Sequence, residues 1–135
     1  MKIIIDTCVW SLALRRKESI KNEYVNELKE LIKEVRAQLI GPVRQELLSG
    51  IKTKKQFILL RDHLRAFEEI DIKSKDYELA AEYFNTARKK GIQGSNTDFL
   101  ICAISTRHKM PILTTDKDFF HFQTVLPIEL HRTRT

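Results

Sequence analysis

Four carboxylates of the chain, Asp6, Glu46, Asp98 and Asp116, stand in positions where chemistry is done in proteins of mixed helix and strand. The β-branched run KIIID ends in Asp6, and the apolar run PILTTD ends in Asp116. In an open α/β sheet the functional crevice lies beyond the carboxyl ends of the strands, so these two aspartates are expected as neighbours. Glu46 lies one turn into the helix that follows a second short strand and starts near the same edge. Asp98 follows Ser95-Asn96-Thr97 at the start of an apolar helix, whose position the sequence alone leaves open. Carboxylates that converge repel each other, by about 4 kcal/mol per pair at ~4 Å and an effective dielectric near 20. Such a cluster protonates or comes apart unless something cationic sits between its members. Hard divalent cations take oxygen ligands, and one or two Mg²⁺ or Mn²⁺ ions would offset roughly two to four negative charges. At a phosphodiester, an ion of this kind activates a water, orients the phosphate and stabilises charge on the leaving oxygen.

Each carboxylate also has a structural reading. An aspartate after a strand forms turns and caps helices, which would account for Asp6 and Asp116 singly. Asp98 in a first helical turn is favoured by the helix dipole, and Glu46 on an amphipathic helix suits a solvated face. Asp118, just before Phe119-Phe120, is either a second ligand or the cap of the following turn. The histidines His63, His108, His121 and His131 lack the spacing of a zinc site.

The elements that must position these groups alternate. Lys2 to Asp6 reads as a parallel strand buried on both faces. Ile20, Tyr24, Val25, Leu28, Leu31, Ile32 and Val35 recur as on one helical face. Ala37 to Ile40 reads as a second strand, with Gly41-Pro42 opening a helix to Ser49 that Gly50 stops. Thr53 to Phe67 suggests a helix, Phe67 to Ile72 a strand, and Lys75 to Lys90 a helix closed by Gly91. Phe99 to Thr106 contains FLICAI, apolar on every side, so that helix must be buried. Pro111 to Asp116 and Thr124 to Leu130 supply the last strands. Strands separated by helices imply a parallel α/β sheet with right-handed crossovers.

The chain has 135 residues, enough for one domain with a real core, and its 42% hydrophobic and 31% charged composition is not that of a disordered chain. Its 24 lysines and arginines against 18 aspartates and glutamates give a net charge of +6, which suits an anionic partner such as nucleic acid. Candidate phosphate contacts are Arg15-Arg16-Lys17, Lys52 to Lys55, Lys89-Lys90, Arg132 and Arg134, each also readable as solvated surface. Cys8 and Cys102 lie in apolar runs without C-x-x-C spacing and read as reduced core residues. No run matches a signal peptide or a membrane span, and a cytoplasmic location is expected.

Taken in order, IIIDTCVW, QELLSG, NTDFLICAI and ILTTDKDFF resemble the PIN domain and, within it, the VapC-type toxin ribonucleases of toxin–antitoxin pairs. The resemblance covers the chain as a single PIN-like domain over residues 1–135. It implies a three-layer α/β fold, with a central, mostly parallel sheet flanked by helices on both faces. It also implies a Mg²⁺- or Mn²⁺-dependent endoribonuclease whose acidic quartet is Asp6, Glu46, Asp98 and Asp116, flanked by Thr7, Asn96, Thr115 and Asp118. Asp6 and Asp98 are then expected as direct metal ligands, with Asp116 and Glu46 completing the shell directly or through water. One departure is Cys8, where such proteins commonly carry serine or another small polar residue, which puts a hydrogen bond from that side chain in question.

The implied partners are an RNA substrate and a small cognate antitoxin that places an arginine or another blocking residue at the acidic site. Homodimers are also common among such proteins, and the Ile20 to Val35 helix is a surface for either contact. Two other readings stand beside this one. A phospho-accepting receiver-like module would want an acidic pair after the first strand, whereas Asp6 is followed by Thr7-Cys8. An inactive PIN-like scaffold would be expected to lack a member of the quartet, and none is replaced.

Overall fold

Three consecutive isoleucines can be buried together in a strand only if both faces of the sheet are covered, because successive side chains point to opposite sides. In the computed structural model, which describes residues 1–15 and 22–134, Ile3, Ile4 and Ile5 form β1 (Ile3–Ile5) and are at most 1% exposed. β1 is the centre of a three-stranded parallel sheet of order β2-β1-β3, with β2 at Ala37–Gln38 and β3 at Ile112–Leu113. Ile4 faces Gln38 on one side and Ile112 on the other.

The helices are α1 (Thr7–Leu14), α2 (Glu23–Lys33), α3 (Gly41–Leu48), α4 (Lys54–Leu64), α5 (Ser74–Lys89), α6 (Asn96–His108) and α7 (Asp118–Phe122). The α/β class with a parallel sheet is therefore the observed one. α6 carries an unbroken buried stretch from Phe99 to Ser105, as its apolar sequence requires. It stops at Lys109, whose left-handed backbone (φ 54°) turns the chain into Pro111 and β3.

Two expected strands shrink to single bridges. Phe67 to Ile72 pairs only at Glu69, opposite Leu39, and Thr124 to Leu130 only at Leu130, opposite Ile112. The first carries the exposed carboxylates Glu68, Glu69 and Asp71. The second contains Pro127, which has no amide hydrogen to give a ladder.

The Ile20 to Val35 stripe is also shorter than expected. Val25, Leu28 and Leu31 are buried, while Ile32 within the last turn of the helix is exposed, as is Val35, which lies past the helix end with a left-handed φ of 57°. The stripe thus serves the core, and Ile20 lies outside the described residues.

Candidate active site

β1 delivers Asp6 directly into the cap of α1. Its Oδ1 accepts from Thr7 N at 2.8 Å, and its own amide donates to Leu113 O of β3. Oδ2 accepts from Thr114 Oγ1 at 2.8 Å and from Cys8 Sγ at 3.4 Å, so the carboxylate is held by the first turn of α1 and by the residue that follows β3. Cys8 is therefore half-buried at the site rather than a core residue like Cys102, and its thiol does make the contact that its chemistry put in question. Its sulfur also lies 3.4 Å from Thr115 N, from which it accepts.

Asp98 occupies the third position of α6 in a reciprocal cap. Its Oδ2 accepts from Ser95 N and its own amide donates to Ser95 Oγ, both at 3.1 Å. Beyond β3, Asp116 N donates to Thr114 Oγ1 at 3.0 Å, and Asp116 Oδ1 accepts from Asp118 N at 2.9 Å. Asp98, Asp116 and Asp118 can each present an oxygen with all three atoms within 4.8 Å of one another. Asp118 is thus a member of the tightest carboxylate set, although the sequence placed it only at the margin; the spacing D-x-D at the strand end was the available signal.

Asp6 stands outside that set of three but close enough to Asp98 for each charge to be felt at the site. Glu46 is exposed on α3 and joins through Thr7, whose Oγ1 donates to Glu46 Oε1 at 3.1 Å. Asn96 opens α6 on the exposed surface, and Thr115 is half-buried between Thr114 and Asp116.

Burial pushes the Asp6 carboxyl above the ordinary aspartate value, against the hydrogen bonds from Thr114, Thr7 and Cys8, and the neighbouring Asp98 adds to the rise. Burial raises Asp98 too, against its bonds with Ser95, and Asp116 and Asp118 add repulsion. Among the described residues, no lysine or arginine forms an ion pair with Asp6, Glu46, Asp98, Asp116 or Asp118. The donor set is all oxygen and concentrated in charge. Oxygens held about 2.0–2.1 Å from a Mg²⁺ ion lie within about 4.2 Å of each other, so three oxygens within 4.8 Å need only small side-chain rotations to share one. The residues fit a hard divalent cation.

Two aromatic contacts hold this arrangement from below. Phe122 of α7 packs on Phe99 of α6 (centroids 4.8 Å apart) and on Phe119 (5.1 Å), which ties Asp118's helix to Asp98's. Gly94 makes room for it, since a Cβ there would lie 2.5 Å from Phe122 Cζ.

Of the proposed phosphate contacts, Lys52, Lys54, Lys55, Lys89, Lys90 and Arg132 are exposed. Arg134 is instead engaged with Glu27 and Glu34, and Arg16 and Lys17 lie outside the described residues. No described helix is long and apolar enough to cross a membrane.

The carboxyl edge of the parallel sheet gathers carboxylates that no lysine or arginine pairs with among the described residues. The chain belongs to the PIN domain family, whose family model matches residues 3–124. No curated protein sequence matches it significantly. Among solved structures, it is similar to a chain of VapBC2 from Rickettsia felis bound to a DNA fragment from their promoter (23% identity, 97% of this chain and 98% of that one, TM-score 0.77). It is similar to a chain of FitAcB from Neisseria gonorrhoeae (21%, 96% of each, 0.73). It also resembles a chain of VapBC-5, a member of the VapBC family of toxin–antitoxin systems, from Mycobacterium tuberculosis (17%, 98% of each, 0.69). At these identities the likeness establishes the shared fold. Membership of the family supports a general activity on nucleic acid.

Proposed function

We propose that the protein is a divalent-metal-dependent endoribonuclease and the toxin of a VapC-type toxin–antitoxin pair. The observation that carries this reading is the set of carboxylates at the carboxyl edge of the sheet, with no cation among the described residues to neutralise it, in a chain of net charge +6. Asp98, Asp116 and Asp118 would hold Mg²⁺ or Mn²⁺, with Asp6 and Glu46 directed at the same centre directly or through water. Bound there, the ion supplies a more acidic water and compensation for the charge that develops on the phosphate. The chain's own groups supply position. Ser95 N–H fixes Asp98, Asp118 N–H fixes Asp116, Thr114 and Cys8 fix Asp6, and Thr7 turns Glu46 toward the crevice. The chain's net charge of +6 attracts the polyanion, while the carboxylates repel a phosphate until a cation is present.

Asp98→Asn keeps the shape of the cap and removes one ligand charge. It is expected to lower Mg²⁺-dependent cleavage of single-stranded RNA more than about 100-fold, beyond the usual loss for a group that merely supports a ligand. Wild-type cleavage is expected to leave 5′-phosphate ends. Full cleavage in excess EDTA, or by Asp98→Asn, overturns the assignment.

Two neighbouring solved structures are a toxin–antitoxin complex from Klebsiella pneumoniae and a member of the VapBC family of toxin–antitoxin systems, which supports an antitoxin as partner here; a cationic side chain of that partner is the natural plug for an acidic crevice. Co-expression with a small adjacent open reading frame is expected to relieve growth arrest and to co-purify its product with this chain, as a homodimer-based or simpler assembly read by light scattering. Failure on both counts removes the antitoxin.

A further inference from the structure

A groove of about 570 Å³ opens between α3, α5 and α6, within the size range of small-ligand sites. Its walls include the amides of Gln45, Asn85 and Asn96 and the rings of Tyr77 and Phe84, and no lining residue is charged. That neutrality is unusual in a chain with 42 charged side chains, 24 basic and 18 acidic. A phosphate track would be lined by lysine and arginine. Flat rings with amide donors and acceptors suit a neutral, planar, hydrogen-bonding group.

The groove and the acidic edge share turns of α3 and α6. Gln45 lines it while the next residue, Glu46, receives Thr7; Thr97 lines it while the next residue, Asp98, joins the carboxylate set. Successive helical residues point about 100° apart, so the same turns of α3 and α6 present carboxylates on one side and the groove on the other. Tyr77 is 56% exposed although it is a large aromatic residue. Gln45, Asn85 and Asn96 are exposed, which leaves their amides available to a ligand.

We infer that this groove is a nucleobase pocket, which takes one unpaired base of an RNA strand next to the phosphate held at the carboxylates. The inference rests on the nuclease reading and adds to it the element that selects sequence. The ring of Tyr77 stacks on the base, and the amides read its edge. An apolar peptide segment is the competing occupant; the three amides and the shared turn with the carboxylates favour the base.

The test uses the full chain and single-stranded oligoribonucleotides that vary the base on either side of the cleaved bond. Tyr77→Ala, Asn85→Ala and Ala81→Phe alter exposed groove residues, and their melting temperatures are expected to match the wild type. Tyr77→Ala and the groove-filling Ala81→Phe are expected to lower cleavage at the preferred base about tenfold or more and at other bases less than about twofold, so that selectivity collapses. Tyr77→Phe, which keeps the ring, is expected to restore selectivity. In parallel, an oligoribonucleotide carrying 2-aminopurine at the flanking position is expected to be quenched on binding in the presence of Ca²⁺ by the wild type but not by Ala81→Phe. Quenching without any metal-dependent cleavage would sink the nuclease reading and leave the pocket standing. Cleavage with unchanged base selectivity in all three variants overturns the pocket. So does loss of antitoxin binding in the variants with base selectivity intact, which would make the groove a protein dock.

Discussion

Asp76 and Asp98 are the same residue type in the same local setting, and the protein uses them in opposite ways. Each sits at the third position of a helix, in α5 and α6 respectively, and accepts a hydrogen bond from the amide three residues before it. α5 and α6 pack along each other so that the last turn of α6 meets the first turn of α5. Arg107 there donates to Asp76 Oδ1 at 2.5 Å, and the Asp76 side chain is fully buried. Burial alone would raise its pKa, yet the bonds from Lys73 N–H and Arg107 outweigh burial and hold it below the ordinary value. Asp98 meets no cation among the described residues, only Asp116 and Asp118, and is shifted the other way. A capped carboxylate with an arginine is a structural joint. The same carboxylate facing others is poised for a metal.

That contrast breaks most visibly by charge removal. Asp76→Asn leaves Arg107 without its counterion and is expected to cost about 2 kcal/mol of stability, less than the ~3–5 kcal/mol of a wholly buried pair because Arg107 keeps contact with water. Per folded molecule, RNA cleavage should be unchanged. Urea titration with a cleavage assay on the folded fraction checks both. Cleavage lost along with stability would make Asp76 part of the site.

Asp98→Asn is expected to move stability in the opposite direction and by less. In EDTA it relieves repulsion worth on the order of 1 kcal/mol and raises the melting temperature by a few degrees. Mg²⁺ should then stabilise the wild type more than the variant, since an ion bound only by the native state stabilises by mass action. A variant less stable in EDTA and equally stabilised by Mg²⁺ would make Asp98 a cap and nothing more.

The smallest effect is in the acid response. Glu27 resembles Asp76: burial by itself raises its pKa, but His131 and Arg134 outweigh burial and lower it, tying the chain's end to α2. For a carboxyl depressed in the folded state, the unfolded chain binds more protons as pH falls, so stability drops with it. The contribution is complete above the ordinary values of 3.8 for Asp76 and 4.5 for Glu27, and is lost as pH falls through the lower folded values. Asp76→Asn should therefore differ most from the wild type near neutral pH and approach it in acid. A stability gap that stayed constant below pH ~3 would show that the ion pair is not its source.

Much of the site was legible in the chain because short local rules place it. A strand buried on both faces must run apolar, so KIII and PIL announce their ends, and Asp6 and Asp116 follow at the sheet's carboxyl edge. FLICAI required a buried helix and Ser95 to Asp98 its capped start. The extent of pairing in Phe67 to Ile72 and Thr124 to Leu130 was not legible, since a lone bridge leaves almost no periodic signal and depends on neighbours far along the chain. Nor could local pattern separate Asp76 from Asp98, or draw Asp118 into the carboxylate set while leaving Glu46 at its margin. Capping is decided within one turn of helix, so sequence determines it; the charge a carboxylate faces is decided by residues tens of positions away, such as Arg107 for Asp76 and Asp116 for Asp98, which only the packing of α5, α6 and β3 brings within reach.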